Sequence, residues 1–247
     1  MSTWQLPKIF ALISGALLFV LPAAAVNRDA LRQIVQEQCL VHWVQQHIAT
    51  PCERIYVPSP PHERQGYAVL ADRKGGAHFL LIATKTVSGM ESPEAFEPGT
   101  PNYFAAAWRA RERITDFLGH PLPRDAVGLA LNPQDHRTQD QLHIHIECLR
   151  ADIADTLRVA ASRVTQSWTA LSVGGSDYRA LRIMGEELDG RDPLLLVAEQ
   201  FPAAKSPAGN YTVLVAGMSF IEGPGFIVLA RPGAAGELLL DSACPHA

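Results

Sequence analysis

Residues 141–146 read Gln-Leu-His-Ile-His-Ile, with Leu142, Ile144 and Ile146 apolar and Gln141, His143 and His145 polar. A strict period of two restricts the segment to a β-strand with one face in a core. The opposite face is expected to be open and to carry the three polar side chains in a row, the two imidazoles about 7 Å apart at the backbone. Histidines so placed supply a nucleophile, a proton shuttle or a pair of metal ligands.

The rest of the chain limits where such a strand could work. With 247 residues, 47% of them apolar and 19% charged, the chain is long enough for one sizeable core. A net charge of −4 and the lack of a basic run give no basis for nucleic-acid binding. Lys8 precedes an uncharged apolar stretch over residues 9–26, which as a helix would span about 27 Å, close to the ~30 Å of a bilayer core. Ala23-Ala24-Ala25 offers a signal-peptidase site, and Pro22 would disturb a spanning helix. Residues 1–26 are thus expected to be a signal peptide cleaved after Ala25 or a single-pass membrane anchor, with residues 27–247 exported as one domain. Four cysteines, Cys39, Cys52, Cys148 and Cys244, suit that compartment. Three pairings are open to them, and free buried thiols are the alternative. The favoured pairs are Cys39–Cys52, a local loop of about 13 residues worth roughly 3 kcal/mol, and Cys148–Cys244.

Periodicity predicts an α+β chain. Helices are expected over residues 27–40, 102–118 and 152–164. Strands are expected over 66–71 and 78–84, joined as a hairpin, and over 126–131 and 141–149. Further strand-like runs cover 178–184, 194–198, 211–216 and 226–230, the last two flanking residues 217–225 as a hairpin. Residues 88–101 and 132–140 read as loops. The second loop, Asn132-Pro133-Gln134-Asp135-His136-Arg137-Thr138-Gln139-Asp140, runs straight into the histidine strand. Its backbone N–H groups, amides and Arg137 are suited to an anionic, phosphate-like group beside His143.

Six blocks in order carry a resemblance. They are Glu91-Ser92-Pro93, Thr100-Pro101-Asn102-Tyr103-Phe104, Ala107-Trp108-Arg109-Ala110-Arg111, Ala130-Leu131-Asn132, Arg137-Thr138-Gln139, and His143-Ile144-His145-Ile146 with Cys148. With the apolar N-terminus and the four cysteines, they make the chain resemble the bacterial CDP-diacylglycerol pyrophosphatases, over most of residues 27–202. The histidine segment is also similar to the motif of the histidine-triad superfamily. The resemblance implies a histidine-triad-like antiparallel sheet with packed helices and an elaborated C-terminal half. It implies an enzyme that cleaves the membrane lipid CDP-diacylglycerol to CMP and phosphatidate, without metal or other cofactor. His143 would be the nucleophile. Asn132, Thr138, Gln139, Gln141 and His145 would contact phosphate or nucleotide. The expected location is the cell inner membrane, with the catalytic domain in the periplasm, or the periplasm itself if the signal is cleaved. One departure stands out: Gln141 occupies the place of the first triad histidine, and an amide does not titrate near neutral pH.

Blander and competing readings accompany these. A zinc hydrolase would join His143 and His145 to Asp135 or His136. An envelope binding protein would have lost catalysis with its first triad histidine. His42, His47, His62, His78, His120 and His246 show no partner pattern and read as structural or solvated. Trp108 reads as core. Arg109, Arg113 and Lys85 read as a solvated face, with lipid phosphate as the alternative.

Overall fold

A computed structural model describes Met1 and residues 26–60, 65–202 and 210–244. The expected signal or anchor therefore lies, but for its two ends, outside the described residues. No helix among the described residues is long and apolar enough to cross a membrane.

The strands are β1 (Arg54–Tyr56), β2 (Tyr67–Ala71), β3 (Phe79–Ala83), β4 (Val127–Leu131), β5 (His143–Leu149), β6 (Thr169–Val173), β7 (Ser176–Met184), β8 (Tyr211–Phe220), β9 (Gly223–Pro232) and β10 (Leu240–Asp241). They form one antiparallel sheet in the order β1-β2-β3-β5-β4-β8-β9-β7-β6, with β10 paired to the end of β5. The histidine strand is therefore central, between β3 and β4. Fold class is α+β, as expected.

One face of the sheet packs on α3 (Tyr103–Ala110) and α6 (Pro193–Gln200). Leu142, Ile144, Ile146, Leu81, Leu129 and Val215 project into this larger core. Asn102 starts α3 by accepting a hydrogen bond from the Ala105 N–H at 2.9 Å. Trp108 is fully buried edge-on against Phe226, as its core reading expected.

The other face carries two separate apolar clusters. Over β1–β3 lies an N-terminal arm: α1 (Ala30–Gln33), a π-helical segment (Ile34–Cys39) and α2 (Leu40–Gln46). Its Leu31 and Val35 pack on Ala68, Leu70, Leu80 and Ile82. Over the far half lies α5 (Ala151–Ala160), whose Ile153, Ala154 and Leu157 meet Leu214, Ala216 and Leu229. β5 runs between these clusters. The register pairs His143 with Ile82 and His145 with both Leu80 and Ala130. His143, His145 and Glu147 thus line the seam between two apolar patches on one sheet face.

Both expected disulfides form, Cys39–Cys52 and Cys148–Cys244. The first ties the arm to the chain just before β1, and the second ties the C-terminal segment to β5.

Several expectations are corrected. Residues 194–198 are helical, within α6. Asp192 caps the Leu194 N–H at 2.9 Å with Pro193 at the first position, a helix-start signal ahead of a leucine run that is not β-branched and itself favours helix. The helix expected over 102–118 breaks into α3 and α4 (Glu112–Leu118) at Arg111. The Arg111 guanidinium lies over the Trp108 ring and donates to the Trp108 carbonyl at 2.6 Å, taking the acceptor that would continue the helix. The hairpin expected across residues 217–225 forms, but its strands run further than expected, with β8 and β9 joined across Ile221 and Glu222. Gly217 marks close packing there, not a turn: a Cβ would sit 2.4 Å from Trp108 and 2.3 Å from the Arg124 carbonyl. The short strands β1, β6 and β10 were not foreseen. The histidine face, expected open, is buried: His143 is 6% and His145 5% exposed, because the arm closes over the seam.

Candidate active site

His143 and His145 open on a cleft of about 230 Å³. Leu31, Ile34, Leu70 and Leu80 give it an apolar wall, and Asn132, Thr138, Gln139, Arg73, Lys74 and Glu237 give it polar edges.

The His143 Nδ1 lies 2.6 Å from the carbonyl of Gln141. A carbonyl only accepts, so Nδ1 carries the proton and Nε2 keeps its lone pair. Burial lowers the His143 pKa, and the nearby Arg137 charge adds to that, against the opposing pull of the Gln141 bond.

Gln141 contributes this carbonyl from its backbone, while its side chain is turned away from the cleft. Its amide donates to the carbonyls of Ala83 at 2.6 Å and Lys85 at 2.7 Å, pinning the start of the strand to the end of β3. Its Oε1 has no hydrogen-bond partner among the described residues.

His145 lies next in the row, its ring centroid 5.1 Å from that of His143. Its Nε2 faces the Asn132 amide and the Glu237 carboxylate, each at 3.4 Å. The Asn132 Oδ1 accepts from the backbone N–H of Gly236 at 2.8 Å, holding the segment that carries Glu237 at the cleft. The His145 Nδ1 is 3.0 Å from His78 Nε2, which lies 3.1 Å from a Glu147 oxygen. Burial pushes His145 well below the ordinary histidine range, helped by the His143 and His78 rings, and burial also lowers His78. Glu147 is pushed up to about 8 by burial and by the Glu237 charge.

The loop 132–140 is less available than its composition suggested. Gln139 accepts from the Leu31 N–H and donates to the Asn27 and Thr138 carbonyls. Arg28 forks onto Asp140. These bonds clamp the arm onto the loop. Arg137, expected to meet an anion, is buried in a two-pronged pair with Glu91 at 2.6 and 3.0 Å. Its charge is therefore met within the protein. The other cations weighed for lipid phosphate lie outside the cleft and are paired: Arg109 with Asp189, Arg113 with Asp116, Lys85 with Glu97. Asp135 and His136 contact each other at 3.6 Å as exposed groups.

Of the expected site residues, His143, His145, Asn132, Thr138 and Gln139 meet at the cleft, and Gln141 supports it from behind. His78, Glu147, Glu237, Asp72 and Lys74 were missed. The reading of His78 as unpartnered is corrected: its ring stacks on His145 with centroids 5.2 Å apart. A signal existed for two of them. Glu147 extends the alternation of 143 and 145, and His78 shares the face of Leu80 and Ile82 on the neighbouring strand.

An imidazole with one nitrogen held and the other free, in a buried cleft with polar donors, is equipped for nucleophilic chemistry. Comparisons with known proteins narrow this to hydrolysis. A family model of CDP-diacylglycerol pyrophosphatases matches residues 26–247. A CDP-diacylglycerol pyrophosphatase of Yersinia pestis is 37% identical over 229 residues, covering 89% of this chain and 86% of the relative. The chain belongs to the CDP-diacylglycerol pyrophosphatase family.

Proposed function

We infer that this protein hydrolyses CDP-diacylglycerol to CMP and phosphatidate, with His143 as nucleophile in a histidine-triad-like site. The observation that carries the nucleophile is the Gln141 carbonyl at 2.6 Å from His143 Nδ1, which leaves Nε2 with its lone pair beside the cleft. Nε2 attacks the cytidylyl phosphorus. A P–N bond forms as the anhydride P–O bond breaks, and phosphatidate leaves with the electron pair. Water then attacks the same phosphorus, the P–N bond breaks, and CMP is released as the water proton passes to solvent. The His145 Nε2–H, the Asn132 amide and the Thr138 hydroxyl are suited to hold phosphate oxygens as charge moves. Gln139 acts through the loop it clamps, and Gln141 through its carbonyl. Phosphatidate is a phosphate leaving group that needs little protonation, so an amide at position 141 is compatible with turnover.

Arg73 and Lys74, on the turn before β3, bring positive charge to the cleft for the diphosphate, and the wall from Leu31 to Leu80 is apolar. An export role belongs to the same reading: residues 1–26 anchor the chain in the cell inner membrane with the domain in the periplasm, or are removed after Ala25. Two disulfides support an oxidising compartment, and an anchor would raise the effective concentration of a lipid substrate.

The test is CMP release from CDP-diacylglycerol in detergent micelles, combined with acid-free quenching of a cytidylyl-labelled substrate. Label on the peptide carrying His143, and loss of turnover in His143→Ala, are expected. Turnover retained by His143→Ala would overturn the mechanism.

A further inference from the structure

We propose that His78, His145 and Glu147 form a binding site for one zinc-class divalent ion, at the edge of His145 that faces away from the cleft. The three donor atoms make a compact triangle: His78 Nε2 to His145 Nδ1 is 3.0 Å, His78 Nε2 to Glu147 Oε1 is 3.1 Å, and His145 Nδ1 to Glu147 Oε1 is 3.8 Å. Tetrahedral bonds of 2.0–2.2 Å place donors about 3.3–3.6 Å apart, within the range these edges bracket.

Hydrogen bonding alone serves this triangle poorly. His78 Nε2 has a single proton or lone pair to set against both His145 and Glu147, whichever tautomer is present, and the third edge, 3.8 Å, is too long for a hydrogen bond. One cation satisfies all three lone pairs at once. Two imidazoles and a carboxylate are a donor set for Zn(II) and its neighbours rather than for magnesium or calcium.

The surroundings add an independent observation. The far nitrogen of each histidine faces a carboxylate: His78 Nδ1 lies 3.9 Å from Asp72, and His145 Nε2 lies 3.4 Å from Glu237. Outer carboxylates of this kind orient metal-bound imidazoles. The donors also stand on rigid ground. His78 sits one step beyond the Phe79–Ile146 pair of β3 and β5, opposite Glu147, in the middle of the sheet. All three residues are buried.

An ion on His145 Nδ1 leaves its Nε2 as an N–H aimed at the cleft. That consequence rests on the proposed function, in which this N–H holds a phosphate oxygen. Binding itself does not rest on it.

The experiment uses the tag-free full chain in detergent, stripped with chelator and titrated with Zn(II) against a chromogenic competitor. One ion per chain is expected, with binding weakened more than about 100-fold in His78→Gln and Glu147→Gln and about tenfold in Asp72→Asn. His143→Ala should bind normally although it cannot turn over, which separates this inference from the mechanism. His136→Ala should also bind normally. Co(II) bound to the unaltered protein should give the visible ligand-field band of a four-coordinate nitrogen–oxygen site, a readout that needs no variant to fold. Absence of stoichiometric zinc binding, binding by His78→Gln and Glu147→Gln as tight as that of the unaltered protein, or an octahedral cobalt spectrum would overturn the proposal.

Discussion

Two buried polar centres flank the loop 132–140, and they differ in how completely they are satisfied. At one, the Arg137 guanidinium and the Glu91 carboxylate grip each other through two hydrogen bonds, and the Ser88 hydroxyl donates to one of the same Glu91 oxygens at 2.9 Å. At the other, His143 Nε2 has no hydrogen-bond partner among the described residues and faces the cleft, and His78, His145 and Glu147 lie together with one edge, 3.8 Å, too long for a hydrogen bond. A closed pair holds backbone in place and does no chemistry. An open set keeps capacity for a ligand. On the proposed function, the closed centre serves the fold and the open one serves the reaction.

Removing His143 gives the sharpest contrast. His143→Ala is expected to lower CMP release by more than about 10³-fold, as loss of a nucleophile does, with little change in thermal midpoint. A large fall in stability with modest loss of rate would erase the distinction between the centres.

Glu91→Ala should do the reverse. It removes the two-pronged partner of a buried guanidinium and leaves it only Asp140, 3.4 Å from its Nε, with an expected cost of about 3 kcal/mol in denaturant unfolding. Proton linkage gives a second check. Burial raises the Glu91 pKa, but the Arg137 bonds outweigh it and leave the group below its ordinary 4.5. A carboxylate depressed in the folded state stabilises the protein above its unfolded pKa, and that stability is lost as pH falls through the folded one. Unfolding curves measured from pH 6 down to pH 3 should show this acid loss in the native chain and less of it in Glu91→Gln.

The arm that covers the histidine seam is held by a local disulfide. Replacing Cys39 and Cys52 together by serine should cost about 3 kcal/mol by the chain-entropy argument. Because the arm supplies Leu31 and Ile34 to the cleft, KM should rise more than kcat falls; an unchanged KM would separate the arm from substrate binding.

Gln141→His is expected to have the smallest effect. His143 uses the backbone carbonyl of residue 141, not its side chain. Turnover should change by less than about tenfold, well short of the roughly 10²–10⁴-fold that general acid–base catalysis supplies. A gain of 10²-fold would show that the missing imidazole had been limiting.

Much of this was legible in local sequence. The alternation through His143 and His145, the helix start at Asn102 and the Cys39–Cys52 pair were readable because each reports on a periodicity, a cap or a short loop; Cys148–Cys244 spans 96 positions and has no such local signal. The apolar run at 194–198 was misread because a short stretch of leucines has no distinct period; Asp192 and Pro193 held the better signal. The close approach of Trp108 to Gly217 had no local signal, because Trp108 comes from a segment more than a hundred residues away.

The sequence alone determined that a histidine-bearing strand exists, that its face alternates and that the chain carries its family's blocks, since covalent spacing sets those properties. Only the tertiary structure decided that the strand is central, that its polar face is buried, that Arg137 is already paired, and that His78 meets His145 across 67 positions of sequence. Those facts depend on which strands pair and which helices cover them, a choice made by burial of the whole sheet and not by any one segment.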